Sequence, residues 1–157
     1  MKLSIFLLFI GMLSACKSHK KVTEKGVINT FISIPQAIFA LETTPCYGTC
    51  PAYNVVVFDN DSLTYEGMRH VAKEGKVSKQ LPKGTVNQLV EKFREANFFK
   101  FENQYTSNVS DFPTTYISFT DSGITKKIKD YYKAPESLKQ LEKLLSDLVK
   151  DEVEIKK

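Results

Sequence analysis

Two cysteines four residues apart are the side chains of this sequence with the clearest capacity for chemistry. Cys46 and Cys50 lie in the segment Thr-Pro-Cys-Tyr-Gly-Thr-Cys-Pro-Ala-Tyr, residues 44–53. Such a pair can form a structural disulfide, act as a thiol-disulfide redox site or ligate a metal. A bridge needs Cα atoms about 4.4 to 6.8 Å apart, so the segment must fold back, and Gly48 permits the turn.

The sequence context favours the structural disulfide. Redox pairs of the thioredoxin type have two spacer residues and precede a helix, whereas here there are three, Pro51 leads into a strand and the segment holds no cation. Zinc would have to use both cysteines and His70, with no second pair of ligands. We therefore predict a bridge worth about 2 kcal/mol, with no metal and no cofactor. A redox factor or enzyme that uses this loop is the alternative.

Other catalytic patterns are missing from the sequence. It contains no Gly-x-Ser-x-Gly elbow, no His-Glu-x-x-His helix and no phosphate loop. Asp111 and Asp130 form a carboxylate pair only if the fold brings them together. We predict no catalytic residue and favour a binding or structural role over an enzyme.

The elements that must position these residues follow from the apolar pattern. The chain of 157 residues fits one domain, and its formal charge of +4 is too small to indicate a nucleic-acid partner. In order, the pattern predicts strands at 53–58 and 63–67, a weaker one at 75–81, a helix from Pro82 to about Asn97, strands at 115–120 and 124–131, and a helix after Pro135. We predict an α+β fold: an antiparallel sheet from two hairpin-plus-helix (ββα) units, with both helices on one face.

Basic and aromatic side chains share an exposed face of the second hairpin. Alternation places Lys127, Lys129 and Tyr131 on the face opposite Ile128. With Tyr47 and Tyr53 they are the candidate binding residues, for an envelope protein or an anionic envelope component.

The N-terminus predicts the location of the protein. Residues 1–15 carry one early positive charge, an apolar run and then small residues, which is typical of a secretory signal peptide. The apolar run is about half the ~20 residues that a membrane-spanning helix needs. Leu13-Ser14-Ala15-Cys16 resembles the lipobox of bacterial lipoproteins, which implies a lipidated Cys16 as the first mature residue and attachment to the membrane.

The predicted organisation has four parts. They are a signal peptide (1–15), the lipidated cysteine and a flexible tether (16–35), one α+β domain (36–150) and a C-terminal tail (151–157). No acidic residue follows Cys16 directly, which by the lipoprotein resemblance favours the outer membrane with the protein facing the periplasm.

Five segments together resemble a family of bacterial lipoproteins with no assigned activity, whose signature is Cys-x-Gly-x-Cys-Pro-x-Tyr near the start of the domain. The segments are residues 46–53, 63–67, 98–99, 111–115 and 130–135. The likeness runs from about Phe39 to Leu148. One departure is the turn at residues 59–62, where family members usually carry a glycine. The resemblance supports the domain boundaries and implies no activity.

Overall fold

The computed structural model describes residues 33–154, and this part of the chain has an α+β fold. Its strands are β1 (Ala37–Thr43), β2 (Ala52–Phe58), β3 (Ser62–Arg69), β4 (Gly75–Gln80), β5 (Gln104–Tyr105), β6 (Thr115–Asp121) and β7 (Ile124–Asp130). Its helices are α1 (Thr85–Glu95), α2 (Glu136–Asp147) and α3 (Lys150–Val153), with a 3₁₀ turn at Phe98–Lys100. The predicted signal peptide, Cys16 and most of the predicted tether lie outside the described residues.

The strands form one sheet in the order β4-β3-β2-β1-β6-β7-β5. Neighbouring strands are antiparallel except β5 and β7, which run parallel, so the prediction of a wholly antiparallel sheet is wrong at this edge. The reason is that β5 arrives from α1 rather than from a hairpin turn, so its direction need not oppose that of β7. Its two residues are also too few to show an alternating pattern in the sequence.

Strand β1 is the main element that the sequence interpretation did not include. It pairs with β2 on one side and β6 on the other, and so occupies the centre of the sheet. Its alternating Phe39 and Leu41, which are both buried, were a usable signal. Because β1 precedes the first hairpin and β5 lies between α1 and β6, the observed element order does not reduce to two hairpin-plus-helix units.

Aromatic side chains form the centre of the core. Phe39 of β1 and Phe119 of β6 stack with ring centroids 5.0 Å apart, and Phe93 of α1 lies 4.7 Å from Phe39 and 5.1 Å from Phe119. Phe98 of the 3₁₀ turn completes the cluster, 5.2 Å from Phe93. Burial of four such rings contributes several kcal/mol in total, which fixes α1 and the 3₁₀ turn against the centre of the sheet.

Helix α1 begins at Thr85, three residues after the start that the sequence analysis predicted at Pro82. The group that caps its N-terminus is a side chain distant in the sequence. The carboxylate of Asp61, in the β2–β3 turn, accepts hydrogen bonds from the backbone N–H groups of Gly84 and Val86, both at 2.8 Å. These bonds hold the pKa of Asp61 below its ordinary value. The turn at residues 59–62 therefore has a second role, since it anchors the start of α1.

Candidate functional site

Four loops meet at one end of the sheet, and we call this region the disulfide end. The loops are residues 44–51, 70–74, 106–114 and 131–135. They meet because Thr43 pairs with Tyr53 and with Thr115, and Thr115 pairs in turn with Asp130. Three of the segments on which the lipoprotein resemblance rests, 46–53, 111–115 and 130–135, therefore lie close together although they are far apart in the sequence.

The predicted disulfide is confirmed: Cys46 and Cys50 are bonded, with Cα atoms 5.6 Å apart. Thr43 fixes the base of the loop, because its hydroxyl donates to the carbonyl of Pro51 (3.0 Å) and accepts from the N–H of Tyr53 (3.1 Å). Gly48 is not among the residues with positive φ, so the turn does not depend on the left-handed freedom of glycine. The loop is therefore held by one covalent bond and by hydrogen bonds to β1 and β2.

Removal of the bridge should cost a moderate amount of stability. We expect the double variant Cys46→Ser with Cys50→Ser to lower the free energy of unfolding by about 2 kcal/mol, because the closed loop is short. Urea denaturation of the wild-type protein with and without reductant provides the matched comparison. A reductant effect that persists in the double variant would contradict this explanation.

A cleft of about 460 Å³ opens beside the bridge, lined by residues from two of the loops, 44–51 and 106–114, and by the end of β3. Its lining consists of Pro45, Cys46, Tyr47, Arg69, Asp111 and Phe112. Tyr47 is 93% exposed and Phe112 is 49% exposed, although both are aromatic. Exposed rings beside a guanidinium are the residue types that dominate binding surfaces.

The aromatic surface continues from the cleft onto loop 131–135. The ring of Phe112 lies 5.4 Å from that of Tyr132 and 6.4 Å from that of Tyr131. Tyr131 donates its hydroxyl proton to the carbonyl of Val109 at 2.7 Å, which ties the loop to 106–114. Lys133 lies over the ring of Tyr132, at 5.3 Å. The disulfide end is thus a joined set of aromatic and basic side chains.

Three of these loops contain a non-glycine residue in the left-handed backbone region. They are His70 (φ 53°), Asp111 (φ 72°) and Lys133 (φ 61°). Such residues carry a backbone cost of order 1 kcal/mol or more, and they cluster at functional sites. Asp61, Asn97 and Ser122 have positive φ elsewhere in the described residues, so this conformation does not by itself single out the disulfide end.

The structure separates the predicted binding residues. Tyr47 and Tyr131 lie at the disulfide end. Lys127 and Lys129 lie on the face of β7 opposite Ile128, where Lys127 pairs with Glu42 (3.2 Å) and Lys129 lies 6.0 Å from the ring of Tyr131. Tyr53 is only 5% exposed, so it is a core residue and not a surface residue.

Tyr53 is buried because of its position in the pleat of β2. Val55 and Val57, which share its face of the strand, are also buried, and its ring lies 5.9 Å from that of Tyr65. Burial, with help from neighbouring acidic groups, raises the pKa of Tyr53 to about 12. Sequence analysis in turn did not select Arg69, the last residue of β3, as a binding residue. Nor did it select Phe112, Tyr132 and Lys133, although these lie in two of the segments on which the family resemblance rests.

Asp130 is not paired with Asp111 but with residues of α2. Its side chain is fully buried and forms an ion pair with Lys139, which also pairs with Glu142 at 3.4 Å. Glu142 is 8% exposed. The sequence pattern that could have predicted the burial of Glu142 is its spacing from Leu138 and Leu145, which places it on the buried face of the helix. Two carboxyl groups and one lysine therefore lie between β7 and α2.

The buried carboxyl of Glu142 predicts a pH dependence of stability. Burial raises the pKa of Glu142 to about 7 from an ordinary 4.5, with Lys139 opposing and Asp130 reinforcing the shift. The folded state therefore binds this proton more tightly than the unfolded state. The associated stability is complete below pH 4.5 and is lost as the pH rises to about 7.

We expect Glu142→Gln to remove the loss of stability between pH 4.5 and about 7, because glutamine stays neutral at every pH. The variant should be more stable than the wild type at pH 8, by an amount on the order of 2 kcal/mol, and closer to it at pH 4. Urea denaturation across this range tests the expectation, with the exposed Glu95→Gln as control. Parallel pH profiles for wild type and Glu142→Gln would show that Glu142 is not the titrating group.

Within residues 33–154, no cluster of three or more His, Cys, Asp or Glu side chains is arranged to hold a metal ion. None of the helices described is long and apolar enough to cross a membrane.

Residues 37–149 match the sequence model of a family described as Domain of unknown function (DUF6438). No curated protein matches the chain.

Proposed function

Because the chain belongs to the DUF6438 family, a family of unknown function, we propose its role from its own geometry: a lipid-anchored binding module of the bacterial cell envelope. One observation carries this proposal. Tyr47 and Phe112 are exposed beside Arg69, on loops that a disulfide and interloop hydrogen bonds hold in place. Fixed loops lose little conformational entropy on binding, so exposed aromatic side chains on them are effective anchors.

The anchor in this proposal is Cys16, followed by a tether to residue 35. Support comes from the lipobox resemblance of residues 13–16 and from the signal-like residues before it. The location proposed is the periplasmic face of the outer membrane. Intact mass of the protein from its native membrane fraction tests the anchor: we expect a chain that begins at Cys16 and carries acyl chains. A chain cleaved elsewhere without lipid would contradict it.

The position of β1 suits such an anchor. Its first residue, Ala37, pairs with Phe58, at the opposite end of the sheet from the 44–51 loop. Seven residues of strand span roughly 23 Å. A tether that joins the domain before Ala37 would therefore leave the disulfide end free to face away from the membrane.

Site-specific photocrosslinking tests the binding surface. A photoreactive phenylalanine replaces Tyr47 in one protein and Ile124, which is 65% exposed on the β6–β7 turn, in the control. We expect an adduct in intact cells from position 47 and none from position 124. Equal labelling at the two positions, or none at either, would contradict a binding surface at the disulfide end.

Charge reversal separates the two predicted lysines. We expect Lys129→Glu to weaken formation of the adduct at position 47, because Lys129 adjoins Tyr131. Lys127→Glu should weaken it less, because Lys127 already pairs with Glu42. An equal effect of both variants would indicate that net charge alone matters.

A thiol-disulfide redox factor is the second candidate, and one observation favours it. Arg69 lines the same cleft as Cys46, and the N–H of Gly48 donates to Cys46 Sγ at 3.3 Å. A cation and a donor near sulfur favour a thiolate. Alkylation after equilibration in glutathione buffers tests this role. A redox factor should be reduced by mild thiol buffers and should turn over a disulfide substrate, whereas a structural bridge should stay oxidised.

We also propose that α1 and α2 cover the same face of the sheet. Support comes from Phe93 of α1 on Phe39 and Phe119, and from the burial of Leu138, Leu141 and Leu145 of α2 in the same core. The opposite face, with Glu42, Lys127 and Lys129, would then face solvent.

A further inference from the structure

The cleft beside the disulfide contains two unlike charges that do not neutralise each other. Arg69 and Asp111 both line it, and among residues 33–154 neither forms an ion pair. Within the part of the chain that the structure describes, the only side-chain partner of Asp111 is the hydroxyl of the adjacent Ser110, at 3.4 Å. On the strands, by contrast, Lys127 pairs with Glu42 and Lys76 pairs with Glu66. The cleft therefore offers a cation and an anion to an external ligand.

Arg69 and Asp111 together determine which hydrogen-bonding groups a ligand of the cleft must carry. A guanidinium presents a planar fork of N–H donors that fits a carboxylate with two parallel hydrogen bonds. An ionised carboxylate such as that of Asp111 only accepts, so its natural partner is an N–H or O–H donor. A ligand that satisfies both must carry a carboxylate and a donor a short distance apart.

The aromatic lining adds an apolar requirement. Tyr47, which is almost fully exposed, and Phe112, which is about half exposed, both line the cleft. An apolar ligand group that covers such rings removes their surface from water, which makes the free energy of binding more favourable. The ligand should therefore present an apolar group beside its carboxylate.

We propose that this cleft binds an acidic polypeptide segment, which rests on the proposed role of the disulfide end as a binding surface. A carboxylate of the segment pairs with Arg69, a backbone N–H donates to Asp111, and a neighbouring apolar side chain packs against Tyr47 and Phe112. The carboxylate comes from an Asp or Glu side chain or from a free C-terminus. Both sources present the same group to the guanidinium.

Two other ligand classes fit the cleft less well. A polyanionic glycan would bring its charges against Asp111, and a neutral glycan would leave Arg69 without an anion. A polypeptide is the class that supplies a carboxylate, an N–H donor and an apolar side chain within a few atoms.

A peptide array tests this assignment with defined probes. It carries synthetic acetylated heptapeptides of varied sequence in two sets, one with a free carboxyl terminus and one amidated. The full-length protein is applied as wild type, Arg69→Gln, Tyr47→Ala and a control, Lys100→Gln, which removes an equal charge from an exposed residue outside the cleft. The dissociation constant of the strongest peptide is then measured in solution for each protein.

The expected result is binding that depends on a peptide carboxylate. Arg69→Gln should weaken it about tenfold or more, while Lys100→Gln leaves it unchanged. Replacement of the peptide carboxylate by an amide should weaken wild-type binding equally but have little effect on Arg69→Gln. Loss of binding in the amidated set alone identifies the C-terminus as the source, and retention there identifies an acidic side chain.

Binding by no peptide, or binding that Arg69→Gln does not weaken, would overturn the inference. Equal urea midpoints for Arg69→Gln and wild type exclude unfolding as the cause of a loss. The crosslinking experiment distinguishes failure of the acidic-segment proposal from failure of the proposed binding surface at the disulfide end. An adduct at position 47 with a glycan or a lipid would overturn the acidic segment and leave the binding surface intact, whereas no adduct would overturn both.

Discussion

Replacement of Gly67 by alanine is expected to lower the free energy of unfolding by about 3 kcal/mol or more. Gly67 lies in β3 opposite Gly75, and a Cβ there would overlap the carbonyl oxygen of Lys73 and the hydroxyl of Tyr65, and would lie 2.9 Å from Val71. The carbonyl cannot withdraw cheaply, because it accepts a hydrogen bond from the buried Tyr65 hydroxyl (3.0 Å). The same tyrosine hydroxyl lies 3.2 Å from the carbonyl of Glu152. One methyl group would therefore displace the 70–74 loop from both β3 and α3.

Gly75→Ala provides the matched control on the neighbouring strand. A Cβ at Gly75 meets no atom, but the residue has a φ of 86°, which disfavours any side chain. We expect this variant to lose only about 1 kcal/mol, from backbone strain rather than overlap. Urea denaturation compares the two, and failure of Gly67→Ala to fold would agree with the larger effect. A loss at Gly67 no greater than at Gly75 would show that the loop moves aside freely.

Lys139→Met is expected to cost about 3 kcal/mol at neutral pH. The lysine pairs with Asp130, whose side chain is fully buried, and with Glu142, which is nearly so. Its removal leaves two adjoining carboxyl groups between β7 and α2 without a cation. Such a site must either hold an uncompensated charge or take up a proton, and both alternatives destabilise the folded state.

Lys143→Met on the same helix is the control for loss of charge. Lys143 pairs with Asp147, but 70% of its side chain is exposed, and surface pairs of this kind contribute at most about 1 kcal/mol. The double variant Lys139→Met with Asp130→Asn should recover part of the lost stability, because it removes a buried charge. Thermal and urea unfolding measure all three proteins. Equal losses from Lys139→Met and Lys143→Met would show that the burial of Asp130 does not matter.

Together the two predictions concern the supports of the candidate site. Gly67 allows loop 70–74, which follows Arg69, to pack closely, and Lys139 neutralises the last residue of β7, from which loop 131–135 begins. A variant of either residue should therefore change the disulfide end without touching Tyr47 or Phe112.

Local pattern was enough to identify several parts of this protein. The hairpins of β2 with β3 and of β6 with β7 and the two amphipathic helices follow from the period of apolar residues, which depends only on near neighbours in the chain. The Cys46–Cys50 bridge likewise joins residues four apart, and the short distance limits what else the pair can do. The α+β class and the disulfide could therefore be predicted from local pattern alone.

The burial of individual residues and the residues that form the cleft could be learned only from the tertiary structure. Tyr53 is a buried tyrosine and Tyr47 an exposed one because of their places in β2 and in the disulfide loop, although both belong to one segment. Arg69, Asp111 and Phe112 form one cleft with Tyr47 only because β1, β2, β3 and β6 pair in a fixed register. Asp130 lies against Lys139 and not Asp111 because α2 packs over the end of β7. Contacts between residues distant in sequence depend on the free energy of the whole packed domain, so no single segment determined the site.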